Sequence, residues 1–238
     1  MTSMKGVQLS SPGQARVRTD LPVPEPGPGE VRLKVAAAGI CGTDVHICSG
    51  DASMNGLIAP PVTLGHEFCG HVDALGEGVD AKELPPGTYA SAEMHEICGE
   101  CPACRSGAYH ACATARIRGI NLDGAFAEYV VVSARNVVKL PEDLPVQVAA
   151  ILDPLGNAVH TVMKVPVEDR SVAIVGFGPI GAMCGEVAAF VGARHVYVVD
   201  VADQALARAR AWTIRRGLSD QVTVVDGRER PVEKVLDE

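Results

Sequence analysis

Hydrophobic positions change their rhythm along this chain. Between residues 31 and 140 they fall in short runs, VRLKVAAAGI, PPVTLGHEF, FAEYVVV and NVVKL, separated by Gly, Pro and Asp. VRLKVAAAGI alternates apolar and polar positions, as a strand with one buried face does. The segment before it, LPVPEPGPGE at 21–30, carries four prolines, which remove backbone donors and clash with a preceding helical turn. These features predict an irregular β-barrel rather than a helical bundle. After Pro154 the texture shifts: LGNAVHTVMKV has helical spacing, VPVEDR reads as a hinge, and SVAIVGFGPIGAM opens a strand, turn and helix. Ile180, Met183, Cys184, Val187, Ala188 and Val191 then recur at helical intervals, Gly192 is placed to cap the helix, and HVYVVD supplies a second strand. The expected fold class is a β-rich domain over residues 1–165 followed by a partial α/β domain with a parallel sheet over 166–238.

Composition narrows the setting. The 238 residues are 47% hydrophobic, enough for buried cores, and carry 21 basic against 29 acidic side chains for a formal charge of -8. That balance leaves no electrostatic footprint for nucleic acid or anionic lipid. The first twenty residues lack an apolar signal core, and no stretch approaches the ~18 apolar residues of a membrane span. A cytoplasmic protein is expected, with no nucleic acid or membrane partner, handling small molecules or copies of itself as a homo-oligomer.

Eight cysteines in such a chain point to metal before disulfides. Four of them, Cys98, Cys101, Cys104 and Cys112, lie in CGECPACRSGAYHAC with spacing C-x2-C-x2-C-x7-C. Two-residue gaps let successive sulfurs face one point, so the run predicts a closed, structural Zn2+ site, with redox thiols and an iron–sulfur cluster as alternatives.

The second half offers a nucleotide site. VAIVGFGPIG sets Gly176, Gly178 and Gly181 in G-x-G-x-x-G spacing between a strand and a helix, with Ile180 at the helix start and Asp200 at the end of the next strand. Such a turn brings a pyrophosphate onto a helix N-terminus, and the acid accepts hydrogen bonds from the adenosine ribose, which favours NAD over NADP. The plainer reading is a turn that packs helix on strand, with Asp200 as a helix cap.

A second metal set lies in the first half: Cys41, Thr43 and His46 in GICGTDVH, His66 and Glu67 in LGHEF, and Asp153 in LDPLGNAVH. One thiolate, one imidazole and a carboxylate make a three-ligand site with an open position, which eases loss of a proton from a bound alcohol. Taken singly these are poor signals, since a lone Cys or His is usually a core or surface residue, and the plain reading makes Thr43 a helix cap and His46 a surface residue.

In order, GICGTDVH, GHE, the four-cysteine run, DGAFAEY, DPLGNAVH and GFGPIG resemble the zinc-dependent medium-chain alcohol and polyol dehydrogenases. Within that family, EMHEICGECPAC, INLDGAFAEY and LGNAVHT are most similar to the L-threonine 3-dehydrogenases. The resemblance implies a GroES-like catalytic domain and a Rossmann domain, with a catalytic zinc on Cys41, His66 and Asp153 and with Glu67 entering or leaving its coordination. It implies a proton relay through Thr43 and His46 and oxidation of L-threonine to 2-amino-3-oxobutanoate with NAD, with His95 read equally as touching the substrate or as part of a surface loop. A sorbitol- or 2,3-butanediol-type enzyme is the alternative, and an inactive zinc and nucleotide-binding protein a further one. Ala205 stands where threonine dehydrogenases carry an arginine, and Cys48, Ser49 and Gly50 where they tend to carry aromatics. Family members continue about a hundred residues further, so only the first βαβαβ half of the Rossmann sheet, 171–226, is expected here. An open edge at VAIV, self-association and little turnover are expected with it.

Overall fold

Alternation becomes strand over most of the first half. In the computed structural model, which describes residues 2–54 and 56–229, strands β1 (Ser3–Leu9), β2 (Ala15–Pro22) and β3 (Glu30–Gly39) lead into helix α1 (Gly42–Ser49). There follow β4 (Val62–Thr63), β5 (Glu67–Leu75), β6 (Tyr89–Ala92), β7 (His95–Glu96), α2 (Pro102–Arg105), β8 (Arg116–Ile117), β9 (Tyr129–Ser133), β10 (Val137–Lys139) and α3 (Val146–Ala149). One antiparallel sheet has the order β10-β6-β5-β3-β9 and a second the order β2-β1-β4. A bridge between Gly6 and Ala127, just before β9, ties the two together. In β3 the alternation is plain: Val31 and Leu33 are fully buried among Phe68, Val72, Val130 and Val132, while Arg32 points out to Asp73. Each such side chain contributes about 1.5–3 kcal/mol by leaving water.

The four-cysteine segment hangs from this barrel on a two-stranded ribbon, β7 paired with β8 through His95 opposite Ile117 and Glu96 opposite Arg116. The buried Arg118 guanidinium fixes its base, donating to Glu96 from Nε at 3.1 Å and to Glu30 of β3 at 3.4 Å. Glu96 also accepts the Ser133 backbone N–H of β9 at 3.1 Å.

The second unit begins at Pro154 and the first ends at Asp153. Helix α4 (Leu152–Val162) gives Ala158 and Val162 to the second unit's core, ahead of the boundary expected at 165. Then come β11 (Ser171–Val175), α5 (Pro179–Phe190), β12 (His195–Asp200), α6 (Asp203–Arg216) and β13 (Val222–Asp226), in a parallel sheet of order β11-β12-β13. β12 lies in the middle, and its Val196, Tyr197, Val198 and Val199 are all buried, as a parallel strand covered on both faces requires. β11 has no partner on its outer side among the described residues, and Val175 is 85% exposed. No helix of the described residues is long and apolar enough to cross a membrane.

Candidate active site

The four thiols converge. Cys98, Cys101, Cys104 and Cys112 place their sulfurs within 4.8 Å of one another, with Cys98 to Cys104 at 3.9 Å and Cys98 to Cys112 at 3.6 Å. A disulfide would need a separation of about 2.05 Å. Tetrahedral zinc with bonds of about 2.3 Å sets its sulfurs about 3.8 Å apart, which these distances match. Backbone donors already face the cluster: the N–H of Cys101 points at Cys98 Sγ (3.4 Å) and that of Cys98 at Cys112 Sγ (3.5 Å). Donors from Glu100 and Cys101 hold the Cys98 thiol down to about 6, whereas desolvation pushes Cys104 up to about 12. All four ligands are cysteines, so the donor set fits a closed structural ion.

A second convergence lies at the end of β3. Cys41, His66 and Glu67 bring a sulfur, a ring nitrogen and a carboxylate oxygen within 4.8 Å of one another, and His66 and Glu67 are buried. Glu67 opens β5 and pairs in register with Gly39. A side chain at Gly39 would overlap Glu67 Oε2, so the glycine is what lets the carboxylate lie there. Burial pushes the Glu67 carboxyl up, and the negative charges of Asp153 and Asp44 add to this while His66 and Cys41 oppose it. Asp153, at the start of α4, lies outside this set of three. Its carboxyl is pushed up by burial and then by the charge of Glu93, and drawn down by the charges of His66 and His95.

Asp44 escaped the sequence reading. It is 2% exposed, and its Oδ2 accepts the N–H of Cys41 at 2.9 Å, closing the N-terminus of α1. Its Oδ1 lies 3.5 Å from His66 Nδ1, and neither of these two buried atoms has a hydrogen-bond partner among the described residues. This is the arrangement in which a carboxylate orients an imidazole whose other nitrogen is offered to a metal. The three-residue spacing from Cys41 to Asp44, that of a capping box, is the signal that could have found it.

The helix N-cap is Cys41, so Thr43 lies inside the first turn instead of capping it. Its Oγ1 is 3.7 Å from Cys41 Sγ. His46 stands one turn further along α1, exposed, with Nδ1 3.0 Å from Asp51 Oδ2. His95 pairs through Nδ1 with Glu93, which raises the pKa of the imidazole.

In the second unit the glycine turn has the geometry its spacing predicts. Gly176 adopts φ +94°, and Gly181 lies so close to the Gly176 carbonyl that no side chain fits between them. Pro179 takes the first position of α5, where a missing N–H costs nothing, with Ile180 next to it. Asp200 ends β12, and its two oxygens accept backbone N–H groups, Phe177 on Oδ2 at 2.6 Å and Ala202 on Oδ1 at 2.8 Å. The acid thereby ties the glycine turn to the strand beside it. Phe177 anchors the turn from below, its ring 5.4 Å from that of Trp212, whose Nε1 donates to Glu186 at 2.8 Å.

Residues 27–142 match the alcohol dehydrogenase GroES-like domain family. L-threonine 3-dehydrogenase of Pyrococcus horikoshii is 44% identical over 200 residues, 84% of this chain and 57% of that protein, so the chain spans less than two thirds of that relative. A structure described as a zinc-binding dehydrogenase of Sinorhizobium meliloti 1021, bound to NADP, superposes with a TM-score of 0.85 at 35% identity, over 98% of this chain and 65% of its own. Galactitol-1-phosphate dehydrogenase of Escherichia coli gives 0.78 at 33% identity, over 93% and 67%. Those matches extend from the GroES-like barrel into the parallel sheet, and the chain belongs to the medium-chain alcohol dehydrogenase family.

Proposed function

We propose that this chain carries the catalytic metal site and the adenosine end of the cofactor site of a dehydrogenase that oxidises a secondary alcohol with NAD, L-threonine being the preferred substrate. The observation that carries the reading is the convergence of Cys41, His66 and Glu67, a donor set of thiolate, imidazole and carboxylate with a buried carboxylate, Asp44, behind the imidazole. These residues, with Asp153 nearby, would hold a catalytic zinc, and Cys98, Cys101, Cys104 and Cys112 a structural one. When bound, the catalytic ion supplies Lewis acidity to the alcohol oxygen.

The chain's own residues do the rest. Thr43 and His46 are three apart on α1 and so share a face, with the hydroxyl beside Cys41 and the imidazole at the surface. They take the proton from the alcohol and pass it to water, and Asp51 stabilises the imidazolium that forms in passing. Bound NAD would supply the acceptor for the hydride of the carbinol carbon, and the product from threonine would be 2-amino-3-oxobutanoate. Gly176, Gly178, Ile180 and Gly181 would cradle the pyrophosphate and Asp200 the ribose. Both Asp200 oxygens keep lone pairs free to accept from ribose hydroxyls after taking one N–H each. The identity with L-threonine 3-dehydrogenase supports the same substrate.

The test is NADH production from threonine, 2,3-butanediol and sorbitol, alongside metal content. Threonine should be turned over best, and His66→Ala should lose one metal and all turnover while keeping the fold. Preference for either polyol would overturn the substrate, and both metals retained in His66→Ala would overturn the catalytic site.

A further inference from the structure

Residues 119–126, between β8 and β9, close over residues 63–65, the stretch of backbone that leads into His66. Three backbone hydrogen bonds fasten the two stretches: the Gly124 N–H to the Thr63 carbonyl at 2.8 Å, that of Phe126 to Leu64 at 2.8 Å and that of Ala125 to Gly65 at 2.9 Å. The Asp123 carboxylate accepts the Thr63 N–H at 2.7 Å from the same side. Glycine allows the approach. Gly65, Gly119 and Gly124 are all buried, and a side chain at Gly119 or Gly124 would overlap the Gly65 carbonyl. Gly65 and Gly119 also hold φ at +95° and +82°, where other residues are strained. This loop therefore sets where the backbone of His66 begins. It is also continuous with the ribbon that bears the thiols. The N–H of Arg118 goes to the Met94 carbonyl at 3.1 Å, and Ile117 pairs with His95. Cys98 follows β7 and Cys112 precedes β8, so ligation at the thiols holds both arms of the ribbon at once.

We propose that the packing of Gly119 and Gly124 on Gly65 couples the two metal sites, so that an ion on the four cysteines strengthens the binding of an ion at Cys41, His66 and Glu67. The inference rests on the reading of both clusters as metal sites and adds an interaction between them. The element with two states is the four-cysteine segment. Ligated, it holds the β7–β8 ribbon, and with it the start of the loop, in one place; unligated, strands of two residues each leave that start free to shift. A shift there moves the Gly65 peptide and the imidazole after it, and metal bonds tolerate only about 0.2 Å of misplacement. Gly119 and Gly124 are thus positioning residues, acting on the ion through the backbone of His66.

The experiment is titration of the full chain with Zn2+ in competition with a chromogenic chelator, each variant being checked for its fold by circular dichroism. Cys101→Ser with Cys104→Ser, which removes the four-cysteine ion, should weaken the ion at Cys41, His66 and Glu67 on the order of tenfold. By linkage, His66→Ala should weaken the four-cysteine ion by the same factor. Gly124→Ala, which cannot pack on Gly65, should weaken the catalytic ion similarly, and adding the two serines to it should cost little more. Where that variant does not fold, Asp123→Ala serves: it removes one contact from an exposed residue and should weaken the catalytic ion about fivefold. Asp123→Asn, which keeps an oxygen for the Thr63 N–H, should restore it. Losses that simply add when the serines are combined with Gly124→Ala would place the loop outside the coupling and overturn the proposal, as would a catalytic ion held equally well without the four thiols. If the unaltered chain takes up the four-cysteine ion alone, the catalytic metal reading falls and this inference falls with it.

Discussion

Asp44 uses its two oxygens for different ends, one to close the N-terminus of α1 on Cys41 and the other to face His66. Asp44→Ala should cost about 1 kcal/mol for the lost cap, and weaken metal at Cys41, His66 and Glu67 by roughly 10- to 100-fold. Thermal denaturation and a metal titration read the two effects separately, and Asp44→Asn, which keeps an oxygen for the Cys41 N–H, should recover the first more than the second. Gly39→Ala should push Glu67 aside and lower metal content by the catalytic ion alone, leaving the four-cysteine ion in place; metal analysis with thiol titration checks this. Cys41, His66 and Glu67, poor signals taken singly, stood out only as a joint set of thiol, imidazole and acid and through the family resemblance, and the fold brings the three together. Asp44 was not legible, since an acid between Thr43 and Val45 looks solvated, and its burial is created by β5 and the residues before it. Whether Asp153 or Glu67 completes the set was equally illegible, because the pairing of Gly39 with Glu67 is a matter of sheet register.

Among elements, legibility followed the strength of the periodic signal. β12 and α5 could be read directly, since HVYVVD is a continuous apolar run and α5 repeats apolar positions at helical spacing. α1 left no such trace: Val45 is 59% exposed, Ile47 is its one buried apolar side chain, and the other buried residue is charged. The contact between β12 and the glycine turn has a pH signature. Backbone N–H groups of Ala202 and then Phe177 hold the Asp200 carboxyl below its ordinary value of 3.8. A depressed folded pKa stabilises above the unfolded value, and that contribution is lost as the pH falls through the folded one. The melting temperature of the native chain should therefore exceed that of Asp200→Asn most at neutral pH, and the gap should close below about pH 4. A gap that stays constant across this range would show that the carboxylate charge does not hold the turn.

At the scale of the whole molecule, each unit has an apolar core of its own, the barrel around Leu33 and Phe68 and the parallel sheet around Phe177 and Val198. The sequence changes its hydrophobic rhythm after Pro154, where the second unit begins, although the expected boundary lay near residue 165. The linkage through α4 was less visible, because a helix that begins in one unit and packs in the next has the same periodicity throughout. Residues 98–112 belong to neither plan: none of them joins an apolar cluster, and two strands of two residues each attach them to the barrel. Their order then depends on ligation, and a chelated protein should present this segment to proteases as an open loop. Arg105 is exposed in its middle, so trypsin should cut there first once the metal is withdrawn, and only slowly while it is bound. The two pieces should still travel as one particle on a sizing column, because β3 from the first remains laddered to β9 from the second. A single nick would thus leave the barrel assembled while parting Cys98, Cys101 and Cys104 from Cys112, so that the four thiols no longer belong to one continuous chain.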